Sequence, residues 1–389
     1  MKIVIDDKIP FIDCAFEGRA ETCFMPGAEI SKADVKDADA LIIRTRTACN
    51  RELLENSSVK FIATATIGFD HIDAGFCLES GIVWTNAPGC NAYSVQQYIT
   101  SALLNIFPDS LNILPNLTIG IVGLGNVGSK IYDMASAFGM TILLNDPPML
   151  DNAEDQQLLK GKFSHGEFTD IEELASRSDI ITFHTPLTIS GKYKTYHLAN
   201  EDFFSLIKKN TVVINSSRGE VVDNQVLKEV LKKNAVSGAV LDVWENEPEI
   251  DEELVKFVNF ATPHIAGYSA DGKANGTAMS IQAVSRFFGL GLDSWSPDNI
   301  PAPENSEIDV SKCDGSDSDI LRYVFNCSYD INSDSSRLIA DTAGFEKLRG
   351  NYPLRREPHA FNVSMPSSFT GKKIAHILHS LGFKTEFFS

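Results

Sequence analysis

The sequence lacks the features that mark exported, disulfide-stabilised or membrane proteins. Its 389 residues include only seven cysteines, which are scattered and form no C-x-x-C pair. This favours reduced thiols over a disulfide or zinc framework. No uninterrupted apolar run approaches the roughly 18 residues of a membrane helix, and Asp6 and Asp7 interrupt the amino terminus before a signal-peptide core can form. We therefore expect a cytoplasmic protein without a structural metal.

Basic residues are scarce relative to acidic ones. Lys and Arg number 34 against 52 Asp and Glu, so the formal net charge is −18 at pH 7. A polyanion of this size repels nucleic acids and anionic membrane surfaces unless a local basic patch intervenes. We therefore expect neither a nucleic acid nor a membrane as partner.

Apolar residues, in contrast, are plentiful enough for several cores. Hydrophobic residues make up 43% of the chain and charged residues 22%, near the averages for globular proteins. At roughly 100 to 200 residues per domain, the length predicts two or three domains.

Short apolar runs alternate with helical patterns, which predicts parallel sheets built from βαβ units. Residues 92–107 have apolar residues at helical spacing and separate two series of runs. The second series predicts a doubly wound sheet that is buried on both faces. The predicted strands are 2–6, 40–44, 60–65 and 82–86 in the first series, and 118–122, 140–144, 179–183, 211–215, 236–241 and 259–262 in the second.

The composition changes after Gly291. Three prolines fall between residues 297 and 303 in a polar segment that is typical of a linker. The remaining residues are enough for a third unit. Within it, a basic cluster at residues 347–356 is as well explained by a solvated surface as by a function.

The clearest motif is the run of glycines at residues 123–128, directly after a predicted strand and before a helical pattern. Gly123 permits a tight turn, Gly125 lets the backbone approach a pyrophosphate, and Gly128 allows close helix packing. Asp146 follows 18 residues beyond Gly128, at the end of the next strand. Its carboxylate can accept hydrogen bonds from the adenosine ribose and would repel a 2′-phosphate, which favours NAD over NADP. A chance glycine turn is the less favoured alternative because strand, spacing and helix agree.

Three further polar residues lie where predicted strands end, the place at which open α/β sheets bind ligands. Arg218 offers a planar fork for a carboxylate, and a carboxylate such as Glu247 can orient a histidine such as His264 for proton exchange with a carbinol. Each residue alone has an ordinary explanation, as a surface cation, a turn carboxylate or a loop histidine.

The segments around these residues, 217–223, 241–248 and 262–267, resemble in order and spacing the D-isomer-specific 2-hydroxyacid dehydrogenases. The similarity covers about the first 290 residues and includes 63–73. Further details look like the members of this family that oxidise a phosphorylated four-carbon acid in vitamin B6 biosynthesis. These details are segments 87–92, 183–187, 264–268 and 348–352.

The resemblance implies an NAD-dependent oxidation of the C2 hydroxyl of 4-phospho-D-erythronate. In this reaction Arg218 would bind the substrate carboxylate, His264 would be the acid/base, and Glu247 would hold His264 in its competent tautomer and charge state. Another 2-hydroxyacid dehydrogenase, such as one acting on 3-phosphoglycerate, and a non-enzymatic NAD-sensing corepressor remain alternatives.

The resemblance also implies the binding residues. The backbone at Asn126 and Val127 would contact the pyrophosphate, and the remaining NAD contacts would be Asp146, Thr185, Asp242 and Gly267. Substrate contacts would be Thr45, Thr66 and Tyr268, with Arg44 and Arg46 as candidates for the phosphate. For Asp242 the alternative is a capping carboxylate, and for the threonines it is a simple strand-end preference.

The implied fold is α/β, with two Rossmann-like doubly wound parallel-sheet domains and a C-terminal α+β domain. Residues 1–92 and 269–290 would form the substrate-binding domain, into which an NAD-binding Rossmann domain at 93–268 is inserted. Residues 291–389 would form a dimerisation domain, which predicts a homodimer.

Overall fold

The computed structural model describes residues 1–152, 159, 161–366 and 371–388. The strands, in chain order, are β1 Lys2–Asp6, β2 Glu21–Met25, β3 Ala40–Ile43, β4 Phe61–Thr64, β5 Val83–Thr85, β6 Thr118–Val122, β7 Thr141–Asn145, β8 Gly166–Phe168, β9 Ile180–Phe183, β10 Val212–Asn215, β11 Gly238–Leu241, β12 Phe260–Ala261, β13 Glu307–Asp309, β14 Asn362–Pro366 and β15 Lys384–Phe388.

The α-helices are α1 Lys32–Val35, α2 Arg51–Leu54, α3 Ala74–Glu79, α4 Ala92–Ile106, α5 Ser110–Ile113, α6 Asn126–Phe138, α7 Pro147–Asp151, α8 Ile171–Arg177, α9 Glu201–Leu206, α10 Asn224–Lys232, α11 Glu252–Val255, α12 Ala270–Phe288, α13 Asp317–Ser328, α14 Ile331–Ala340, α15 Phe345–Gly350 and α16 Lys372–Ser380. Single 3₁₀ turns lie at Gly27–Glu29, Leu114–Asn116, Gly219–Val221, Val310–Lys312, Thr342–Gly344 and Pro358–Ala360.

Every strand that the sequence predicted in the two series is confirmed, with small shifts at the ends. The apolar runs are buried along their length because both faces of each sheet are covered. The predictions missed β2 and β8, which lie at sheet edges. Both are short or partly exposed and therefore carry no continuous apolar run.

The chain divides into two compact units, of which unit 1 comprises residues 1–91 and 268–301. Its five strands are parallel, in the order β2-β1-β3-β4-β5. Successive side chains of β1 enter different cores: Val4 packs with residues of α1, α2 and α3, whereas Ile3 and Ile5 pack with Ile281 of α12. Because α12 closes the second face, the return segment completes this sheet.

Unit 2 comprises residues 92–267 and 302–389. Its main sheet has seven parallel strands in the order β12-β11-β10-β9-β6-β7-β8. Pairing of Val122 with Phe183, and of Asn215 with Phe183 and Leu241, brings the carboxyl ends of four central strands to one edge. The order reverses between β6 and β9, which creates the crevice where such sheets bind ligands.

The C-terminal residues add a small parallel sheet, ordered β13-β14-β15, to unit 2. Helix α13 packs on α4, α16 packs on α6, and α14 packs on β12. Leu338 and Phe345 share one hydrophobic core with Val122 and Leu241 of the main sheet. The predicted α/β fold, with helices and strands beyond residue 301, is confirmed, whereas the predicted domain boundaries and the dimerisation role stay predictions. Among the described residues, no helix combines the length and apolarity needed to cross a bilayer.

Candidate active site

The glycine turn of unit 2 connects β6 to α6. Gly123 has a φ of 91°, and a Cβ at this position would lie 2.6 Å from the carbonyl oxygen of His184. Only glycine fits where the turn meets the end of β9. Gly125 caps α6 and has open space on its Cβ side, so the backbone at Asn126 and the helix amino terminus are accessible to an anion.

Asp146 lies beside this turn, at the end of β7. Its Oδ2 accepts a hydrogen bond from the Leu124 N–H at 2.7 Å, and its Oδ1 accepts one from the Met149 N–H at 3.1 Å. The carboxylate is therefore held next to the glycine turn, which fits the predicted ribose contact and disfavours a 2′-phosphate.

Two buried hydroxyls follow the neighbouring strands. Thr185 Oγ1 lies just after β9 and Ser216 Oγ just after β10, and neither has a hydrogen-bond partner among the described residues. Buried polar atoms of this kind are rare without a bound ligand or water, so both hydroxyls fit a dinucleotide at this edge. His184, which directly precedes Thr185, forms a hydrogen bond of 2.9 Å between its Nε2 and Thr182 Oγ1, and burial lowers its pKa to about 3.

Arg218 is presented by the loop after β10. A Cβ on the next residue, Gly219, would lie 2.0 Å from the carbonyl carbon of Trp244, so glycine allows this loop to pack directly on the loop after β11. The Arg218 guanidinium is partly buried and donates to the Ser217 carbonyl at 2.8 Å. The structure thereby brings the Arg218 loop against the loop that carries Glu247.

Glu247 and His264 form a hydrogen-bonded pair. His264 Nδ1 and Glu247 Oε2 are 2.8 Å apart, and Glu247 Oε1 accepts from the Trp244 N–H at 3.0 Å. Burial raises the pKa of the Glu247 carboxyl, but the hydrogen bond and charge of His264, the Trp244 N–H and the charge of Arg349 outweigh it, so the pKa lies below its usual value. No described residue bonds His264 Nε2, which leaves this atom for a substrate.

Asp242 holds the loop that carries His264. Its Oδ1 accepts from Thr262 Oγ1 at 2.6 Å and from the Ile265 N–H at 2.8 Å, and its Oδ2 accepts from the Ala266 N–H at 2.8 Å. Burial raises the pKa of this carboxyl. The contacts are those of a capping carboxylate, and the predicted nicotinamide contact stays a prediction. Gly267 directly follows this loop.

Arg355, from the C-terminal residues, supports the same loop. The side chain is buried and donates to the carbonyls of Ala266 at 3.2 Å and Ser94 at 2.6 Å and to Gln97 Oε1 at 2.9 Å. Its guanidinium lies 3.8 Å from the centroid of the Tyr329 ring. The sequence placed Arg355 in a basic cluster that a solvated surface explained equally well; for this residue a solvated position is wrong, because its donors are used inside unit 2.

The predicted substrate residues lie in unit 1. Thr45 follows β3 and is exposed, and Thr66 follows β4, where its Oγ1 donates to the Gly68 carbonyl at 2.9 Å. Tyr268 lies two residues before α12, next to the N-cap Ser269. All three lie at loop positions next to strand or helix ends, and their contacts with substrate stay predictions.

A second histidine and carboxylate cluster shares the loop after β11. His197 Nε2 is 2.7 Å from Glu245 Oε1, and His197 Nδ1 is 3.3 Å from Asp223 Oδ2. The three residues bring ligand atoms within 4.8 Å of one another, as a metal site would. Both imidazole nitrogens already lie close to carboxylate oxygens, so the three side chains occupy one another's polar atoms.

Comparison with known proteins assigns the family. Residues 108–266 match the family model described as D-isomer specific 2-hydroxyacid dehydrogenase, NAD binding domain. The erythronate-4-phosphate dehydrogenase of Bacteroides thetaiotaomicron is 51% identical over 366 residues, which cover 93% of this chain and 99% of that protein. The enzyme of the same name from Photorhabdus laumondii is 38% identical over 389 residues, covering 99% and 100%. The chain belongs to the erythronate-4-phosphate dehydrogenase family.

Solved structures share the fold of this chain. The D-lactate dehydrogenase of Aquifex aeolicus, complexed with NAD and lactic acid, is 25% identical with a TM-score of 0.58, covering 75% of this chain and 96% of that one. A glyoxylate/hydroxypyruvate reductase of Sinorhizobium meliloti, 23% identical with a TM-score of 0.62, covers 75% and 95% and shares the fold. The chain is an NAD-dependent oxidoreductase of this family, and its cofactor is NAD.

Sequence reasoning missed two residues, of which Ser216 lies at the edge of the candidate site and Arg355 supports the His264 loop. Ser216 immediately precedes the 217–223 segment and follows a predicted strand, so its position at a strand end was the available indication. Arg355 had no such indication because its partners at Ser94, Gln97 and Ala266 are far away in the sequence.

Proposed function

We propose that the chain oxidises 4-phospho-D-erythronate at C2 to (R)-3-hydroxy-2-oxo-4-phosphooxybutanoate, a step in pyridoxal 5′-phosphate (vitamin B6) biosynthesis. The observation that supports this most directly is the 2.8 Å pair of His264 Nδ1 and Glu247 Oε2, in which no described residue bonds Nε2, at the carboxyl edge of the sheet. The name of the relatives supports the choice of substrate.

In this reaction His264 Nε2 accepts the proton of the C2 hydroxyl. Glu247 holds Nδ1 protonated, so that Nε2 is the basic nitrogen, and stabilises the imidazolium that forms. Arg218 offers two parallel N–H groups to the substrate carboxylate. Thr45, Thr66 and Tyr268 are the proposed further contacts with the substrate.

The proposed NAD site uses residues on consecutive strand ends of unit 2. Backbone N–H groups at Asn126 and Val127 bind the pyrophosphate, and Asp146 binds the adenosine ribose. Thr185, Asp242 and Gly267 complete the proposed contacts. When bound, NAD supplies the acceptor for the hydride that leaves C2. The chain's own contribution is to orient the substrate and to remove the hydroxyl proton.

A steady-state assay of NADH formation tests the proposal. We expect turnover with 4-phospho-D-erythronate and much weaker turnover with 3-phosphoglycerate or D-lactate. A preference for 3-phosphoglycerate would contradict the proposed substrate and indicate a different 2-hydroxyacid dehydrogenase activity. Absence of turnover with all three, with NAD still bound, would favour a binding role.

We further infer a cytoplasmic homodimer that associates through residues 291–389. Large apolar side chains are exposed in this part of the chain: Ile339 by 51%, Leu354 by 52% and Phe387 by 56%. Exposed apolar surface of this kind suits a subunit interface. Sedimentation of the full chain and of Leu354→Asp would test this, since a monomer in both cases contradicts it.

A further inference from the structure

Two cationic side chains of unit 1 belong to elements that meet at the carboxyl edge of its sheet. Arg44 follows β3, and its Nη1 donates to the Lys8 carbonyl at 3.0 Å, beyond the end of the adjacent β1. Lys273 lies in the first turn of α12, which packs on β3 and β4. A hydrogen bond of 3.0 Å from Asn275 to the Cys90 carbonyl holds the start of this helix in place.

Lys273 is unusual among the partly buried lysines. Its Nζ lies 5.0 Å from the centroid of the Tyr268 ring, and no described residue forms a salt bridge or hydrogen bond with the ammonium group. Lys228, by comparison, pairs with Asp251 at 2.5 Å and with Glu253 at 3.5 Å. Buried lysines normally have such a counter-charge. Within the described chain, the ammonium of Lys273 faces the Tyr268 ring and no anionic side chain.

The electrostatics of Lys273 also favour a bound anion. Burial, and next to it the positive charge of Arg44, lower the pKa of Lys273. The like charges of Lys273 and Arg44 therefore repel each other in the folded chain, at a cost in free energy. An anion bound between them would offset this cost, and a dianion would offset more of it than a single charge.

We propose that Lys273 and Arg44 bind the phosphate group of the substrate, beside the predicted substrate residues Thr45 and Tyr268. This proposal rests on the proposed function, in which Arg218 already takes the carboxylate at the reacting end. A lysine ammonium is a compact charge and an arginine a planar fork, and phosphate oxygens accept charge-assisted hydrogen bonds from both. Lys273 would thus determine the preference for a phosphorylated acid.

Kinetics of Lys273→Met test the proposal. We expect KM for 4-phospho-D-erythronate to rise roughly 10- to 100-fold, because one hydrogen bond to a charged group is lost. The value of kcat should change little. D-erythronate, used as substrate or as competitive inhibitor, should bind both proteins equally because it lacks the phosphate. Lys273→Arg should recover part of the affinity. Lys60→Met, which removes an exposed lysine 3.7 Å from Asp39, is the matched control.

Thermal unfolding with inorganic phosphate gives a readout that does not depend on turnover. Phosphate should raise the Tm of the wild-type chain and of Lys60→Met more than that of Lys273→Met. Without phosphate, Lys273→Met should unfold at the same temperature as the wild type or higher, because a repulsive contact has been removed. This result would separate lost binding from lost folding.

Two outcomes would overturn the proposal: an equal rise in KM or inhibition constant for the phosphorylated and unphosphorylated acids, or equal protection of Lys273→Met and wild type by phosphate. The proposed function fails separately. If the wild type does not oxidise 4-phospho-D-erythronate but phosphate protects it and not Lys273→Met, the phosphate site stands and the substrate assignment falls.

Discussion

Two histidine and carboxylate clusters share the loop after β11, and their comparison shows what separates a reactive pair from a structural one. Glu245 pairs with His197 at 2.7 Å, and Glu247 pairs with His264 at 2.8 Å. The side chains of His197 and His264 are 27% and 29% exposed, and those of Glu245 and Glu247 are 18% and 20% exposed. Distance and exposure therefore do not distinguish the clusters.

The difference lies in the remaining polar atoms. His197 has carboxylates at both ring nitrogens, and Glu245 Oε2 accepts the Asn224 N–H at 2.9 Å, at the start of α10. In the other cluster, within the part of the chain that the structure describes, His264 Nε2 has no bonding partner. We call the cluster of His197, Glu245 and Asp223 the closed cluster and the pair of His264 and Glu247 the open cluster. The closed cluster can stabilise the loop, whereas the open cluster can exchange a proton with a ligand.

The largest effect should come from His264→Gln. Removal of the acid/base should lower kcat by roughly 10²- to 10⁴-fold in the NADH assay, while binding of NAD, followed by fluorescence quenching, stays intact. His197→Gln is the matched change in the closed cluster and should leave kcat within about threefold. Similar losses in both variants would contradict the distinction between the clusters.

Glu247→Gln should have the next largest effect. The carboxylate accepts hydrogen bonds at both oxygens, from His264 and from the Trp244 N–H, whereas an amide offers only one acceptor. The variant should lose about 10- to 1,000-fold in kcat and shift the pH profile of kcat/KM. Glu245→Gln, the corresponding change in the closed cluster, should keep the wild-type profile, and an unchanged profile in Glu247→Gln would argue against a role in orienting His264.

The pH dependence of unfolding checks the same residue. Because the folded-state pKa of Glu247 is lowered, its stabilisation is present above the unfolded pKa and is lost as the pH falls through the folded one. The unfolding midpoint of the wild type should thus fall on acidification more steeply than that of Glu247→Gln. Parallel curves would show that the pair contributes nothing to stability.

Arg355→Met should have a smaller effect on kcat, which acts only through the loop that carries His264. Loss of the donors to Ala266, Ser94 and Gln97 should loosen the His264 loop and lower kcat about tenfold, with KM less affected. Arg355→Lys, which keeps one donor group and the charge, should recover part of kcat, as a positioning role requires. Arg322→Met, which removes an ion pair with Asp319 in the same unit, is the control. A fall in Tm without a change in kcat would make Arg355 purely structural.

His197→Ala should have the smallest effect on activity. Its effect on stability should nevertheless be measurable. The variant leaves Glu245 and Asp223 without their shared partner, which should cost about 1–3 kcal/mol of unfolding free energy. Denaturant titration measures this cost, and kcat should stay close to wild type. A large loss of kcat without a loss of stability would place His197 in the reaction.

Much of this architecture was accessible from the sequence because it depends on local patterns. Strands buried on both faces appear as apolar runs, so the strands of the two main sheets were predicted apart from two edges. At β2 the side chains of Glu21 and Thr22 are exposed, and a strand of this kind looks like a loop. The glycine turn and Asp146 were found because their spacing along one βαβ unit is nearly constant.

The supporting residues were not accessible, because their partners are distant in the chain. Arg355 is 89 residues from Ala266 and 261 residues from Ser94. Lys273 belongs to no motif that the sequence analysis found. It becomes a candidate for phosphate binding only because α12 packs on the sheet that carries Arg44. Burial without a counter-charge is a property of the folded chain.

The loop after β11 shows most clearly what the sequence determines and what the tertiary structure adds. The sequence by itself determined the fold class and the nucleotide turn, and through resemblance it identified Glu247 and His264, because repeating patterns and short motifs encode them. It offered no chemical reason to prefer Glu247 over Glu245, two residues earlier. Only the tertiary structure decided that Glu245 meets His197, 48 residues away, and that Glu247 meets His264, 17 residues away. The physical reason is that parallel strands bring their loops to one edge in an order set by the sheet and not by the chain.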